Sequence, residues 1–339
     1  MLFSLQPSVR NNWASVMNQP LRQPLRSDGA FGFSDPIGSD GYRWWYIDGF
    51  SECGQYGATV IAFIGSVFSP YYARARRIRA TNPNDFCSIN VILYGPRHAR
   101  WAMTERASAS LSQSEESLVV GPSALRHAGQ ELEVLVKERT TPWMQPLAGT
   151  IRLSLPAIQS ECFALDDFSE HRWWPIAPSA RISVEFTKPA VSWQGSGYFD
   201  SNAGVVPLEQ TFSNWHWSRS HEPGGGGRIT YETHRRNDSH GLISFAVGPD
   251  NTLTRVEALP RWNLPKGPVW RVDRPVRAQS GATVLSTLED TPFYTRSQLR
   301  DGDGHSLVMH ESLDLDRFSR RWVQCLLPFR MPRLAMLSG

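Results

Sequence analysis

Along most of the chain, apolar and polar residues alternate in short runs broken by glycine and proline. In ELEVLVKER, residues 131–139, Leu132, Val134 and Val136 fall on every second position, with Glu131, Glu133, Leu135 and Lys137 at the alternate ones. That is the period of a strand with one dry and one wet face. A first series of such segments runs through YRWWYIDGF, GATVIAFIGSVF, FCSINVILYG, ARWAMTERA, SLVVG, ELEVLVKER and GTIRLSL. A second runs through RISVEFTK, GSGYFDSN, FSNWHWSRSH, RITYETHRR, GLISFAVG, LTRVEAL, WRVDRP, GATVLSTLED, HSLVMHESLDL and RRWVQCLLPF. Strand-like segments roughly every ten residues, with turn formers between them, predict an all-β fold of antiparallel sandwiches or barrels. Residues 1–38 are rich in Pro, Asn, Gln and Ser and read as an irregular lead-in. Pro175 and Pro178 separate the two series and set a boundary near residue 180. Two β domains, 39–180 and 181–339, are therefore expected.

A length of 339 residues suits two domains, and 40% hydrophobic with 20% charged residues is ordinary for a globular protein. Thirteen tryptophans are not ordinary, and they suggest a large aromatic-lined cavity or anchoring at a membrane interface. The net charge of +3 neither requires nor excludes an anionic partner. Cys53, Cys87, Cys162 and Cys325 are far apart with no CxxC spacing, which argues against a zinc site or disulfide framework and for a reducing cytoplasm. MLFSLQPSVRNNW lacks the basic and apolar regions of a signal peptide. The longest apolar run, Ala58 to Phe68, is far short of the roughly 20 residues of a spanning helix. Any membrane contact is expected to be peripheral, on the cytoplasmic side.

The densest chemistry lies in HRWWPIAPSARISVEFTKPAVSWQGSGYFDSN, residues 171–202. Tyr198 and Asp200 are two apart on a strand and so share a face, as do His171 and Trp173. Facing one cavity, they would supply a phenol, a carboxyl, an imidazole and an indole, with Trp174 and Trp193 as further aromatic wall. The plainer alternative is a turn-capping Asp200 and a satisfied core His171. FSNWHWSR sets Trp215 and Trp217 on one face and His216 outside. GYRWWYIDGF adds Trp44, Trp45, Tyr46 and Asp48, the last either a second pocket acid or a strand-end aspartate bonded to backbone. SPYYARARRIRA and RRWVQCLLPFRMPRLAML mix arginine with aromatic and apolar residues, as a solvated hairpin or a membrane-facing lip would. No nucleic-acid module surrounds them. DGDGHS fails the calcium-loop spacing, and no phosphate loop, dinucleotide fingerprint, zinc motif or serine-hydrolase elbow is present. Neither a metal nor a cofactor is expected.

GYRWWYIDGFS, IAFIGSVFSPYY, NPNDFCSINVILYGPRHARWAMTER, HRWWPIAP, GYFDSNAGVVPLE and FSNWHWSRS resemble, in order, segments of the bacterial carotenoid 1,2-hydratases, also called hydroxyneurosporene synthases. The resemblance implies two lipocalin-like β-barrel domains with ligand bound in or between them. It implies cofactor-free addition of water across the terminal 1,2 double bond of an acyclic carotene such as neurosporene or lycopene. The residues implicated in that family match His171, Trp173, Tyr198 and Asp200.

Such chemistry needs an un-ionised acid, and an aspartate desolvated among aromatic rings is one. Asp200 is the expected donor, with Tyr198 orienting it. Trp173, Trp215 and Trp217 would offer π faces to the tertiary carbocation, and a neutral His171 would place the water and take its proton. In the converse assignment Asp200 holds His171 as the imidazolium donor. Two other functions use the same pocket: cyclisation or pericyclic closure of a polyene, and a non-catalytic lipocalin-like carotenoid carrier. A carotene outgrows a domain of this size, so an open-ended tunnel that takes one end is expected.

Overall fold

The computed structural model describes residues 31–333 except 223, 303 and 305. The expected lead-in up to residue 30, two positions of DGDGHS and the last four residues of the C-terminal segment RRWVQCLLPFRMPRLAML lie outside the described residues.

The fold is all-β and lipocalin-like. Two large antiparallel sheets dominate it, one of twelve strands and one of seven, with a two-stranded ribbon beside them. At the centre of the first sheet, strand Tyr42–Ser51 pairs with Gly57–Ile64 on one side and Ala190–Gly204 on the other. His171–Lys188 pairs next to Ala190–Gly204. This sheet curls around a core that holds Trp45, Ile47, Val60, Ile151, Trp174, Trp193 and Phe199. Its other face meets the second sheet, and between them lies a second core with Tyr42, Trp44, Tyr46, Trp173, Tyr198, Trp215, Trp217 and Tyr231.

That double burial explains why YRWWYIDGF does not alternate: all ten residues of Tyr42–Ser51 are buried. Even-numbered side chains (Tyr42, Trp44, Tyr46) face the second sheet, while Trp45 and Ile47 face the curled interior. A strand wet on neither face reads as a continuous apolar run. Each fully buried large apolar side chain contributes roughly 1.5–3 kcal/mol.

Residue 180 lies inside strand His171–Lys188, and the chain passes to the second sheet only after Gly204. Pro175 and Pro178 lie where the pairing register shifts, between Trp174 and Ala177 and between Ala177 and Ala180. A bulge there tolerates a residue with no N–H to give.

Three local expectations are corrected. SPYYARARRIRA forms helix Pro70–Arg76, because Ser69 accepts from the Tyr72 N–H and Pro70 opens the first turn. RRWVQCLLPF is helix Arg321–Arg330, not a strand. His216 is buried, with the ribbon Arg261–Leu264/Arg274–Arg277 against that face of the second sheet; its Nδ1 lies 3.0 Å from Ser312 Oγ.

Candidate active site

Cross-strand register assembles the site. Tyr46 stands opposite Asp200, Trp44 opposite Asn202, and Asp48 opposite Tyr198. On the other flank Trp173 stands opposite Asn202 and His171 opposite Gly204. All of these positions share the face turned toward the second sheet, which answers with Trp215, Trp217 and Arg219 from strand Phe212–His221 and Glu311 from strand Leu307–Asp314.

Asp200 is 3% exposed. Its Oδ2 accepts from the Trp173 indole N–H at 2.9 Å and from the Tyr198 hydroxyl at 2.7 Å. Its Oδ1 is buried and has no hydrogen-bond partner among the described residues. Burial pushes the carboxyl up to about 8, although the bonds from Tyr198 and Trp173 pull the other way. At neutral pH the group is mainly the acid, and with Oδ2 occupied by two donors its proton belongs on Oδ1.

Other charges are paired nearby. Asp48 is fully buried and bound by the Arg219 guanidinium, so it is neither backbone-bonded nor a free pocket acid. Glu311 Oε1 accepts from the Tyr46 hydroxyl at 2.7 Å and from Arg296 Nε at 2.8 Å. The Tyr231 hydroxyl donates to Asn202 Oδ1 at 3.1 Å.

A small cavity of about 40 Å³ lies between Asp200, Asn202, Tyr46, Trp217, Tyr231 and Glu311, with Trp44 and Trp215 closing it. It is large enough for water, which needs about 10–15 Å³. Trp44, Tyr46, Trp215 and Glu311 also line a second cavity of about 400 Å³. That cavity runs past Phe63, Phe68, Met103 and Phe293 and reaches the surface beside Trp270, Leu326 and Phe329, which are 36%, 40% and 74% exposed.

Of the residues expected from the sequence, Asp200, Tyr198, Trp173, Trp44, Trp215 and Trp217 come together here. Three do not. Trp45 packs in the curled core and donates to Phe31 O; Trp174 donates to Gln159 O; Trp193 lies in that same core. Trp45 and Trp174 directly adjoin the inward residues Trp44 and Trp173, so the pleat turns them the other way, and Trp193 shares the odd-numbered face of its strand with Phe199.

His171 is fully buried but lines neither cavity. Its Nδ1 is 2.7 Å from the Tyr42 hydroxyl and its Nε2 2.9 Å from Thr211 Oγ1. Burial holds it down at about 4, partly opposed by Asp166, so the ring is neutral. Gly204 makes room for this contact: a Cβ there would lie 2.5 Å from the Tyr42 ring and 2.7 Å from His171 Nδ1.

Glu311, Arg296, Asn202 and Tyr231 were not singled out in the sequence. The signal for Glu311 is a charge on the inward period of HSLVMHESLDL, between Met309 and Leu313, both buried. Among the described residues no cluster of three or more His, Cys, Asp or Glu side chains could hold a metal ion.

The family model for carotenoid hydratase CrtC matches residues 60–338. The acyclic carotenoid 1,2-hydratase of Thiocapsa roseopersicina is 42% identical over 317 residues, 92% of this chain and 78% of that protein. The acyclic carotenoid 1,2-hydratase of Rubrivivax gelatinosus is 40% identical over 313 residues, 91% and 77%. A solved structure described as an AttH from Nitrosomonas europaea shares the fold with a TM-score of 0.59 at 12% identity, covering 87% of this chain and 98% of that one.

Proposed function

This chain belongs to the carotenoid hydratase family, and on that premise we propose that it adds water across the terminal 1,2 double bond of an acyclic carotene, neurosporene or lycopene, without a cofactor. The observation that carries the reading is the asymmetry of Asp200: two donors on Oδ2, none on Oδ1, in a buried carboxyl held near 8.

The polyene enters the larger cavity end first, and its terminal double bond comes to rest against the smaller one. Asp200 Oδ1 gives its proton to C-2, the less substituted carbon. The π electrons form the new C–H bond and C-1 becomes a tertiary cation. The carboxylate left behind is stabilised by the Trp173 and Tyr198 donors, whose bonds strengthen as charge develops. Trp44, Trp215 and Trp217 face the cation with π surface that holds it without trapping it. Water then bonds to C-1 and gives the tertiary alcohol.

The mouth suits a substrate dissolved in lipid. Trp322, Leu326 and Phe329 recur at helical spacing on Arg321–Arg330 and are 46%, 40% and 74% exposed. Trp270 stacks on Trp322, with centroids 5.8 Å apart. Arg320, Arg321 and Arg330 are exposed there, as are Arg74 and Arg77 of the neighbouring helix segment. Apolar side chains framed by arginines fit an anionic membrane surface. No helix among the described residues is long and apolar enough to cross a membrane.

The test pairs wild type with Asp200→Asn on neurosporene and lycopene, with products separated by chromatography. Tertiary alcohol from the wild type and none from a folded variant supports the reading. Alcohol from both removes Asp200 as the acid.

A further inference from the structure

The scheme above leaves the attacking water without a base, because His171 spends both ring nitrogens on Tyr42 and Thr211 and lines neither cavity. We propose that Glu311 is that base: its carboxylate holds the water against C-1 and takes its proton. The inference rests on Asp200 being the acid.

Four observations carry it. Glu311 lines the same small cavity as Asp200 and the larger one as well, so it stands where the two spaces meet. It comes from the second sheet and Asp200 from the first, and a substrate end lying between the sheets has one carboxyl on each side. Tyr46 ties the two together: it is the cross-strand partner of Asp200, and its hydroxyl bonds Glu311 Oε1. Finally, Oε1 takes both protein donors, and Oε2 takes no hydrogen bond from the described residues.

Charge balance assigns the protonation. The site encloses two buried guanidiniums, Arg219 and Arg296. Asp48 neutralises Arg219. Arg296 lies 2.8 Å from Glu311 and 3.6 Å from Glu289, so the closer carboxyl carries the negative charge. Burial pushes Glu289 up, toward its neutral form. Glu311 is thus the anion and Asp200 the acid, two carboxyls of opposite state facing one space, the arrangement that divides acid and base roles.

The atoms balance. Asp200 Oδ1 loses its proton to C-2. A water lone pair forms the C-1–O bond while one water O–H bond breaks and its proton passes to Glu311 Oε2. The turnover ends with Asp200 ionised and Glu311 protonated, and one proton passed between them through water restores the start.

The test uses the full-length protein with lycopene. Glu311→Gln keeps acceptors for Tyr46 and Arg296, and Arg296 retains Glu289 and the Tyr94 hydroxyl as partners. The variant is expected to melt and bind carotene as the wild type does while hydration falls by about 10²–10⁴-fold, the usual contribution of a general base. Glu311→Ala is expected to recover activity with added formate, a response a merely structural carboxylate would not give. Should Glu311→Gln fail to fold, Glu311→Asp keeps the ion pair but withdraws the carboxylate by one methylene, and a clear loss of rate is expected. Wild-type turnover with an unimpaired Glu311→Gln, an unimpaired Glu311→Asp, or an Ala variant deaf to formate overturns this role alone. An inactive wild type overturns the hydratase reading itself.

Discussion

The Trp173 indole nitrogen donates to Asp200 Oδ2 across 2.9 Å, diagonally from the neighbouring strand of the first sheet, where Trp173 directly opposes Asn202, two residues further along. Together with Tyr198 it makes one oxygen of the carboxyl an acceptor and leaves the other to carry the proton. Both donors favour the anion, so removing either raises the acid's pKa and weakens it as a donor. Trp173→Phe and Tyr198→Phe are each expected to lower the hydration rate by about tenfold, the worth of one hydrogen bond to a charged group. The alkaline fall in activity, near pH 8 in the wild type, is expected to move upward in both variants. A pH–rate profile checks both effects.

The same carboxyl makes stability depend on pH. Its folded value of about 8 exceeds the ordinary 3.8, so between those values the folded chain holds a proton that the unfolded chain has released. Stability from this group is fully present below about pH 4 and is lost as pH rises toward 8. Asp200→Asn cannot titrate. Melting temperatures of the two proteins, followed from pH 4 to 8, are expected to shift steadily in favour of the variant.

His171 is expected to act as a positioning residue. His171→Ala leaves the Tyr42 hydroxyl and Thr211 Oγ1 without their partner and a hole beside Phe212. The variant is expected to lose about 2–4 kcal/mol of stability, as large-to-small core changes do, and its activity with it. Thermal unfolding beside turnover measures this. Activity lost from an equally stable protein would return His171 to the chemistry.

What was legible in the sequence follows from its period of two. Tyr198 and Asp200 lie two apart, and the face they share is real. Trp215 and Trp217 likewise point inward together. Tryptophan density, by contrast, does not say which face is which when both are dry, so Trp45, Trp174 and Trp193 went to the wrong cavity in the reading of the chain. His171 has the right spacing from Trp173, yet its ring is claimed by Tyr42, a contact of sequence separation 129 that no local pattern reveals. Glu311 and Arg296 come from the far sheet, where only an inward-facing charge hints at a role. The arginine-rich turn became a helix because the Ser-Pro cap outweighed strand-like neighbours.

The exposed helix face at the cavity mouth is expected to bind lipid. Vesicles containing anionic phospholipid should sediment the wild type, less so as salt rises, because the arginine contribution is screened. Trp322→Ser and Phe329→Ser should weaken that binding, and Phe329→Ser should do so without changing the melting temperature, since its side chain is 74% exposed. Turnover of carotene presented in vesicles should fall in the same variants.

The most direct measurement is mass spectrometry of lycopene or neurosporene turned over by the wild type in ¹⁸O-labelled heavy water. Proton delivery to C-2 and water capture at C-1 predict a product carrying one deuterium on C-2 and one ¹⁸O on C-1. A product of unchanged elemental composition, or bound carotene recovered unaltered, would contradict the hydration of the terminal double bond.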